Sequence, residues 1–428
     1  MNYFKPISIS LSPNVEKDDA ELALNLIIRP WLWKRGNAIK KLEGEFKEYL
    51  GVKYAFSFNS GRSSLYAILK AIKLPAASDV LLQAFTCNAS INPILWAGLN
   101  PIYVDCNAND YNIDIEDLKT KITPRSKALM VQHTFGLPAN IDEVLKICKD
   151  YNLTLIEDCA HSLGAEYTIK PASAQGFGGA KKVGTFGKVA FFSFSRDKII
   201  SSVYGGMAVT NDDQLGKKLE ELQKEFGQPS RFWIFQQLLH PILLRYVILP
   251  IYNFFDIGKV MLVFSQITHI LSKAVSWKEK RGKRPDYFPK ALPNALGILA
   301  LNQFSKLEKF QVQRENLAKQ YCTELANTKF RLPIQFLERK SAWLRFTVQH
   351  KDSHAILYEA WHKQNILLGD WYTTVIAPFD TNLNDMRYKK GTCPTAEMLA
   401  KQTLNLPTHI NISKQDFGRI VDFLKKWK

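Results

Sequence analysis

Between residues 50 and 210 the sequence alternates short apolar segments with segments whose apolar residues recur at helical spacing. This alternation predicts strands and helices in turn, and therefore a mostly parallel sheet covered by helices on both faces. Such an α/β fold binds ligands beyond the carboxyl ends of its strands. The predicted strands are Tyr54–Phe58, Asp79–Gln83, Asn100–Val104, Ala128–Gln132 and Thr154–Glu157, and the predicted helices are Ser63–Ile72, Ile91–Ala97 and Ile141–Tyr151.

The length of the chain and its changes of composition indicate more than one domain. A chain of 428 residues is long enough to build two cores. We expect a large domain over residues 1–213, an apolar and basic insertion over 214–284, and a third part over 285–428. The third part is predicted to begin with one long helix and to continue as a smaller C-terminal α+β domain. Its predicted elements are the long helix from Asn294 to about Leu325, a strand at Trp343–Val348 and a final helix at Lys414–Trp427.

Charge and cysteine content narrow the class of protein without choosing a partner. The 57 Lys and Arg residues against 40 Asp and Glu give a formal net charge of +17, which attracts phosphorylated substrates, nucleic acid and anionic membranes alike. The six cysteines are scattered without a C-x-x-C pair, which argues against a disulfide framework or a zinc site and for a reducing compartment. The first residues lack the apolar core of a signal peptide. We expect a cytoplasmic protein that binds neither a metal nor nucleic acid.

Two residues of the predicted large domain suggest the chemistry. Asp158 ends an apolar segment that begins at Leu153, and Lys198 ends the run Phe191-Phe-Ser-Phe-Ser-Arg-Asp-Lys198. A cofactor with a pyridine ring needs a lysine that holds it as a Schiff base and a carboxylate that keeps the ring nitrogen protonated. The pair therefore suggests a pyridoxal-phosphate enzyme in which Lys198 also moves a substrate proton. Each residue has a plainer alternative, because most lysines are solvated and strand-end aspartates often cap helices.

Other polar residues of this region suggest a phosphate site. The segment Ser60-Gly61-Arg62-Ser63 follows a predicted strand and opens a helix. Its N–H groups and the helix dipole attract anions, and glycine lets the backbone approach a phosphate closely. A plain N-cap explains the same four residues. Ser193 is placed to donate a hydroxyl to a phosphate, and His161 to reach a ring hydroxyl, although a lone histidine is more often packed in a core.

Several segments, in the same order, resemble the DegT–StrS group of sugar-nucleotide aminotransferases, which are fold-type I pyridoxal-phosphate enzymes. The resemblance covers most of the chain except residues 214–284. The segments that carry it are Tyr49-Leu-Gly-Val-Lys-Tyr-Ala-Phe-Ser-Phe-Asn-Ser-Gly61, Pro101-Ile-Tyr-Val-Asp105, Gln132-His-Thr-Phe-Gly-Leu-Pro138, Ile156-Glu-Asp-Cys-Ala-His-Ser-Leu-Gly-Ala165, Ser193-Phe-Ser-Arg-Asp-Lys198, Gly205-Gly206, Cys393-Pro-Thr-Ala-Glu-Met-Leu-Ala-Lys401 and Leu404-Asn-Leu-Pro-Thr-His409.

The resemblance implies a fold, a cofactor and a set of site residues. The expected fold is a fold-type I transferase with a mostly parallel sheet and a smaller C-terminal α+β domain, and the expected cofactor is pyridoxal 5'-phosphate. Lys198 would be the Schiff-base lysine, Asp158 the partner of the pyridine nitrogen and His161 the contact to the ring hydroxyl, as the catalytic residues. The residues expected to bind the cofactor are these three together with Gly61, Arg62, Ser63, Cys87 and Ser193.

Some residues depart from the family pattern. Arg62 stands where the family usually has threonine, so its guanidinium either replaces the missing hydroxyl at the phosphate or points towards an anionic substrate. Cys87 stands where many members stack an aromatic ring on the cofactor. Val203-Tyr204 replaces a common Gly-Glu pair, which removes a carboxylate from the substrate side. Asp286 stands about where an asparagine usually crosses the dimer interface to the phosphate.

Residues 214–284 are more apolar than a surface loop should be. Two segments, Arg231–Pro250 and Val260–Phe264, carry the apolar residues, and a basic run ends at Arg284. Two interpretations stay open: helices buried in the subunit interface, or helices that lie on an anionic membrane surface. A membrane-spanning helix needs ~20 uninterrupted apolar residues, and the first segment is interrupted by Pro241, Arg245 and Pro250.

The expected reaction moves an amino group from an amino acid, by resemblance glutamate, to a keto group on a nucleotide-linked sugar. By resemblance the product feeds surface polysaccharide, lipopolysaccharide or glycolipid assembly, and the enzyme is a homodimer, cytoplasmic or peripheral at the inner face of the membrane. A pyridoxal- or pyridoxamine-dependent sugar dehydratase is one alternative, but dehydrating relatives replace the lysine with histidine and Lys198 is retained. A non-catalytic regulator or scaffold would have lost Lys198 or Asp158. The sugar, the nucleotide, the carbon and the stereochemistry stay open.

Overall fold

The computed structural model describes residues 4–169 and 179–427. Its strands in chain order are β1 (Ile7–Ser8), β2 (Tyr54–Phe58), β3 (Asp79–Gln83), β4 (Thr86–Cys87), β5 (Asn100–Val104), β6 (Ser126–Gln132), β7 (Thr154–Asp158), β8 (Glu166–Thr168), β9 (Ala180–Lys182), β10 (Val189–Ser193), β11 (Gly206–Thr210), β12 (Arg339–Lys340), β13 (Phe346–Gln349), β14 (Ile366–Leu367), β15 (Ile376–Ala377) and β16 (Thr403–Leu406). Its α-helices are α1 (Lys17–Ile27), α2 (Ala38–Leu50), α3 (Gly61–Ile72), α4 (Asn88–Trp96), α5 (Ile115–Lys121), α6 (Ile141–Asp150), α7 (Asp213–Phe226), α8 (Arg231–Leu243), α9 (Ile257–Ile267), α10 (Asn294–Phe304), α11 (Leu307–Leu325), α12 (Ser353–Gln364), α13 (Pro394–Gln402) and α14 (Lys414–Leu424).

A seven-stranded sheet forms the centre of the larger part of the chain. Its strand order is β2-β11-β10-β7-β6-β3-β5, and of these seven strands only β11 runs antiparallel to its neighbours. The other pairings are parallel. The predicted α/β fold with a mostly parallel sheet is therefore confirmed. All five predicted strands lie in this sheet, although β6 begins at Ser126 and β7 ends at Asp158, beyond the predicted bounds.

Helices cover both faces of the sheet because their apolar residues recur on one side of each helix. On one face Val144 and Ile147 of α6 pack with Leu129 of β6 in a single apolar cluster. On the other face Leu219 of α7 belongs to the same cluster as Phe58 of β2. The sequence had assigned α7 to the insertion, whereas the structure packs it into the main core.

A separate apolar cluster forms the core of the C-terminal part. Strands β13 and β16 pair antiparallel and contribute Phe346 and Leu404 to this cluster. Leu317 of α11, Ile356 of α12 and Ile420 of α14 pack in the same cluster. The predicted strand and final helix are thus present, with β13 shifted towards Gln349 and α14 ending at Leu424.

The long helix predicted from Asn294 to about Leu325 is two helices, α10 and α11, so that prediction was wrong. The helical hydrogen bonding stops at Ser305 and Lys306. Lys306 Nζ lies 2.8 Å from a carboxylate oxygen of Asp18 and 3.0 Å from one of Asp19, both on α1. The break is fixed by these contacts with a distant helix, which the apolar periodicity does not register.

The apolar segment after α7 is helical from Arg231 to Ile251, because α8 continues into a π-turn and a 3₁₀ turn. In the described part of the chain this helix is long and apolar enough to cross a membrane, by length and composition only. However, 44% of its most apolar window is buried inside the fold, and Trp233 and Leu238 pack in the core that includes Leu26 of α1. One side of the segment therefore serves as a core helix.

Candidate active site

The predicted site residues meet at one edge of the seven-stranded sheet. Asp158 ends β7 and pairs in register with Phe191 of β10. Ser193 ends β10 and lies opposite Gly206 of β11, which in turn lies opposite Phe58 at the end of β2. The strand order therefore brings the carboxylate, the serine and the start of α3 to the same edge, where α/β folds bind their ligands.

The start of α3 combines a helix cap with an open backbone corner. The Ser63 N–H donates to Ser60 Oγ at 3.0 Å, and the Ser63 hydroxyl donates to Asn59 Oδ1 at 2.7 Å. The capping interpretation of this segment is therefore confirmed. The amides of Gly61 and Arg62 belong to the first turn of α3 and have no acceptor within the helix. The corner thus keeps N–H groups that fit an anion.

Glycine is required at this corner because three chain segments touch there. A Cβ on Gly206 would lie 2.5 Å from the Gly61 nitrogen, and a Cβ on Gly61 would lie 3.1 Å from Ser193 Cβ. The Ser193 hydroxyl therefore lies directly beside the backbone of the α3 start. This close approach fits the predicted phosphate contacts of Gly61 and Ser193, whereas the N–H and the hydroxyl of Ser63 already donate within the cap.

The Arg62 side chain differs from both predicted orientations. Its guanidinium forms a buried ion pair with Glu279, and Nη2 donates to the Ala274 carbonyl at 2.9 Å. The same group packs on the ring of Phe288, 4.8 Å from the centroid. Because these partners occupy the guanidinium, the predicted contact of Arg62 with a phosphate is retained only for its backbone N–H. Glu279 was missed, although it is the single acidic residue in the basic run that ends at Arg284.

We expect Glu279→Gln to lower the free energy of unfolding by about 3–5 kcal/mol, because it leaves the buried Arg62 guanidinium without its counter-charge. Urea unfolding of the purified protein measures the change. Glu21→Gln removes a partner of Lys17 in an exposed pair and should leave the midpoint unchanged. The double variant Arg62→Met/Glu279→Leu should recover most of the loss. Equal stability of Glu279→Gln and the parent would contradict the assignment.

Asp158 is held as a buried carboxylate with two donors. Ser90 Oγ donates to Oδ2 at 2.9 Å, and the Ala160 N–H donates to Oδ1 at 3.0 Å. Burial raises the pKa of Asp158, while these hydrogen bonds and the nearby Lys198 act in the opposite direction. The side chain therefore has fixed oxygens and a place beside a cation. Ser90 was missed, because nothing in its sequence context marks it.

His161 is buried between aromatic rings and is neutral. Its ring stacks on Phe135 and on Trp371, with centroids 6.0 Å and 5.4 Å away. Nδ1 accepts from the Phe135 N–H at 3.3 Å, so the proton lies on Nε2, which is 3.5 Å from the Tyr372 hydroxyl. Burial, together with the charges of Lys198 and Arg345, holds the pKa of His161 well below its usual range. The imidazole is therefore a donor through Nε2, as a contact to a ring oxygen requires.

Lys198 is half-buried beside these groups. Its Nζ lies 4.6 Å from the centre of the Trp371 ring. Burial lowers the pKa of Lys198 to about 8, against the opposing effect of the Asp158 carboxylate. An amine with this pKa is partly unprotonated near neutral pH and serves as a nucleophile or a base.

The position of Cys87 offers no aromatic ring, but the site has one from another part of the chain. Cys87 caps α4, with Sγ accepting from the Ala89 N–H at 3.5 Å. Burial raises the pKa of its thiol, so the group stays neutral. Trp371 and Tyr372, which the sequence did not single out, bring their rings against His161. Their contacts join residues more than 200 positions apart, and no motif marks them.

Arg345 is a second cation at the site that was missed. Its guanidinium is buried, 3.5 Å from the centre of the Trp371 ring, and Nη1 donates to Asn405 Oδ1 at 3.3 Å. No carboxylate of residues 4–169 or 179–427 lies within ion-pair distance of it. A buried guanidinium has five N–H donors and is costly without an anion. The available signal was a lone arginine within the apolar strand predicted at Trp343–Val348.

The two remaining departures from the family pattern lie near this site. Tyr204 is buried and its hydroxyl donates to the Lys273 carbonyl at 2.5 Å, so it anchors the segment that carries Glu279. Asp286 is exposed and lies 3.3 Å from Lys278 Nζ. Its predicted place at a dimer interface stays a prediction.

Three buried residues of types that can bind a metal lie close together, namely His133, Glu157 and Cys159. Glu157 accepts from the N–H groups of Gly184, Phe186 and Gly187, and His133 Nε2 lies 3.2 Å from Glu157 Oε2. These bonds satisfy the carboxylate, so the cluster serves to hold the surrounding loops.

The residues present fit pyridoxal 5'-phosphate. The open corner of α3 with Ser193 fits the phosphate, the buried Asp158 fits a protonated ring nitrogen, and the neutral His161 fits the ring hydroxyl. Lys198 is the amine at this edge whose pKa is lowered enough for covalent attachment.

Comparison with known proteins identifies the family of this chain. The sequence model of the DegT/DnrJ/EryC1/StrS aminotransferase family matches residues 13–236 and 290–425. GDP-perosamine synthase of Caulobacter vibrioides is 33% identical over 52% of this chain and 57% of that one. The dTDP-3-amino-3,6-dideoxy-alpha-D-galactopyranose transaminase of Aneurinibacillus thermoaerophilus is 25% identical over 96% of this chain and 95% of that one. The structure of NtdA from Bacillus subtilis with bound cofactor PMP covers 98% of this chain and 84% of that one, with 19% identity and a TM-score of 0.73.

The family match spans most of the chain and leaves out residues 237–289, between its two matched ranges. It contains Lys198, Asp158, His161 and the start of α3, and the solved structure shares the fold. The predicted family, fold type and cofactor are confirmed. This chain belongs to the DegT/DnrJ/EryC1/StrS aminotransferase family and is a pyridoxal-phosphate-dependent aminotransferase.

Proposed function

We propose that the enzyme transfers an amino group from an α-amino acid to a keto group of a nucleotide-linked sugar. The observation that carries the proposal is the placement of Lys198, with its lowered pKa, beside Asp158 and the buried cation Arg345. The names of two of the relatives above refer to a GDP-linked and a dTDP-linked amino sugar. Retention of Lys198 favours transfer over dehydration, and retention of Asp158 favours an enzyme over a scaffold.

The residues of this chain have distinct parts in such a transfer. The cofactor, when bound, supplies a conjugated ring that takes up the electrons released when a substrate C–H bond breaks. Lys198, with a pKa of about 8, accepts the proton from the substrate carbon and returns it. Asp158 would hold negative charge at the ring nitrogen, because Ser90 and Ala160 fix both of its oxygens. His161 would donate a hydrogen bond from Nε2 to the ring oxygen of the cofactor, because its Nδ1 accepts from the Phe135 N–H.

Arg345 supports an amino donor that carries a carboxylate. Its guanidinium and the Lys198 amine both lie against the Trp371 ring, so a carboxylate bound at Arg345 places its amino-bearing carbon near Lys198. Arginine binds a carboxylate through two parallel hydrogen bonds. We extend the proposal to glutamate as the donor, to a homodimeric cytoplasmic enzyme and to a product used in surface polysaccharide or glycolipid assembly, all on the family resemblance.

We expect the holoenzyme to give an amino sugar from a nucleotide-linked keto-sugar when glutamate is the donor. Separate half-reactions test this: the first with a panel of amino acids, followed by cofactor absorbance, and the second with 3-keto and 4-keto sugars on different nucleotides, followed by mass spectrometry. A donor half-reaction without an amine product from any keto-sugar would require another class of acceptor.

The variant Arg345→Gln tests whether Arg345 binds the carboxylate of the amino donor. It should lower kcat/KM of the donor half-reaction about 10- to 100-fold, the loss expected for hydrogen bonds to a charged group, and lower that of the acceptor half-reaction much less. Arg345→Lys keeps the charge without the paired donors and should lie in between. An equal fall in both half-reactions would show a structural role instead.

A further inference from the structure

Helix α9 turns its large apolar side chains towards solvent. Val260, Phe264 and Ile267 are 65%, 61% and 66% exposed, and Ile257 and Val263 are also exposed. Ile257, Val260, Phe264 and Ile267 are three or four residues apart and share one face of the helix. A surface helix of a soluble protein normally has the reverse arrangement. We call these five residues the α9 stripe.

The opposite face of α9 is fixed to the fold by its small residues. Gly258 and Ser265 are its two buried residues. A Cβ on Gly258 would lie 2.5 Å from the Ile248 carbonyl oxygen and 2.5 Å from Tyr252 Cα. The backbone contact leaves no room for a larger side chain, so the helix cannot turn its apolar face inward by rotation. The outward orientation of the α9 stripe is therefore built into the packing.

The apolar surface continues beyond the helix and is followed by basic residues. Phe255, just before α9, is 85% exposed, and Trp277 is exposed after it, with the Arg281 guanidinium 4.1 Å from the ring centroid. Lys273 and Lys283 are exposed, and neither has a carboxylate within 4 Å in the described part of the chain. Of the two acidic residues over 256–284, Glu279 is buried against Arg62. Residues 255–284 therefore offer exposed apolar side chains and positive charge, and they lie within the range 237–289 that the family model leaves unmatched.

We propose that the α9 stripe and the basic residues after it dock this enzyme on an anionic lipid bilayer. Apolar side chains at the surface of a helix insert at the boundary of headgroups and acyl chains, and nearby lysines attract anionic lipids. The charge argues against a two-fold contact between copies, because such an interface sets the same patch against itself and would oppose like charges. An anionic bilayer offers negative charge for the basic residues and an apolar interior for the α9 stripe, so it matches both parts of this surface.

Vesicle flotation of the full-length holoenzyme tests the proposal. The protein should float with phosphatidylglycerol–phosphatidylcholine vesicles and weakly or not at all with phosphatidylcholine alone. Raising the salt to about 1 M shortens the screening length to about 3 Å and should reduce the bound fraction without abolishing it. Val260→Gln/Phe264→Gln/Ile267→Gln should weaken binding about 100-fold or more, from the lost burial of three apolar side chains.

A matched triple variant separates this surface from general stickiness. Tyr151→Gln/Val312→Gln/Leu337→Gln removes exposed apolar side chains elsewhere and should float like the parent. Lys273→Gln/Lys283→Gln should show a weaker preference for the anionic vesicles than the parent. Failure of the parent to float with either vesicle overturns the proposal, as does unchanged flotation of the α9 triple variant. If the parent does not float and the α9 variant sediments as a smaller species, the surface is instead an interface between copies.

Discussion

Replacing Lys198 with alanine is expected to lower the rate of amino transfer by about 10⁴-fold, the upper end of what a positioned acid–base group contributes. The variant loses both the nucleophile that attaches the cofactor and the base whose pKa of about 8 suits proton movement. The donor half-reaction followed under single-turnover conditions measures the loss. Borohydride reduction of the parent holoenzyme, followed by peptide mapping, should place the label on Lys198.

Two controls make this result specific to Lys198. Lys188→Ala removes an exposed lysine from the start of β10, on the same segment of sheet, and should keep full activity and the label. A small primary amine added to Lys198→Ala should restore part of the proton transfer, because the missing group is a base. A label on any other lysine of the parent, or parent-like turnover of Lys198→Ala, would contradict the assignment.

The sheet and the residues along it were predictable because their signals are local. Strand periodicity placed β2, β3 and β5 at their observed bounds, and parallel pairing then brought the strand ends together. Asp158 follows from this, since it lies at the end of a predicted strand, whereas Ser193 was singled out from its place on the lysine segment and ends β10, a strand that the periodicity did not predict. The same logic failed at Lys306, where contacts with acidic residues of α1 end a helix that the pattern continues.

The second half of the site was not predictable, because it is assembled by contacts between distant parts of the chain. Arg345 and Trp371 reach the edge from the C-terminal part, and Glu279 reaches Arg62 from the segment that the family match leaves out. The guanidinium of Arg62, for which a phosphate contact was one prediction, instead pairs with the carboxylate of Glu279, 217 residues away in sequence. Such pairings depend on tertiary packing, which periodicity and motifs do not encode.

Arg345 gives the site a second cation beside Lys198, and the carboxylates of Asp158 and Asp197 lie near the two. Burial and the charge of Arg345 lower the pKa of Lys198, and burial with the charges of both residues lowers the pKa of His161. No carboxylate of the described residues lies within ion-pair distance of Arg345, although Asp197 and Asp370 act on its charge from farther away, so a bound anion in contact would offset more of the cost of its burial. The arrangement therefore supports the proposed binding of a substrate carboxylate near the lysine.

Asp158→Asn is expected to lower the rate of the donor half-reaction by about 10³-fold, similar to the loss of a preorganised charge at a reacting centre. The amide carries no charge and cannot hold a proton on the ring nitrogen. Cofactor binding should persist, because Lys198 and the α3 corner are unchanged. Stopped-flow absorbance with glutamate measures the rate, and the spectrum before mixing shows whether the cofactor is bound.

The structure also predicts the sign of the stability change, which separates chemistry from damage to the fold. The pKa of Asp158 is raised in the folded state, so the ionised carboxyl costs stability as pH rises above its unfolded pKa. The neutral amide avoids that cost, and its oxygen still accepts from the Ala160 N–H while its NH₂ donates to Ser90 Oγ. Asp158→Asn apoenzyme should therefore unfold in urea at pH 7 at the same or a higher concentration than the parent. Ser90→Ala, which removes one donor to the carboxylate, should slow the half-reaction less. Near-native turnover in Asp158→Asn would refute the role of Asp158, and a slow variant that is also unstable would point to lost folding instead.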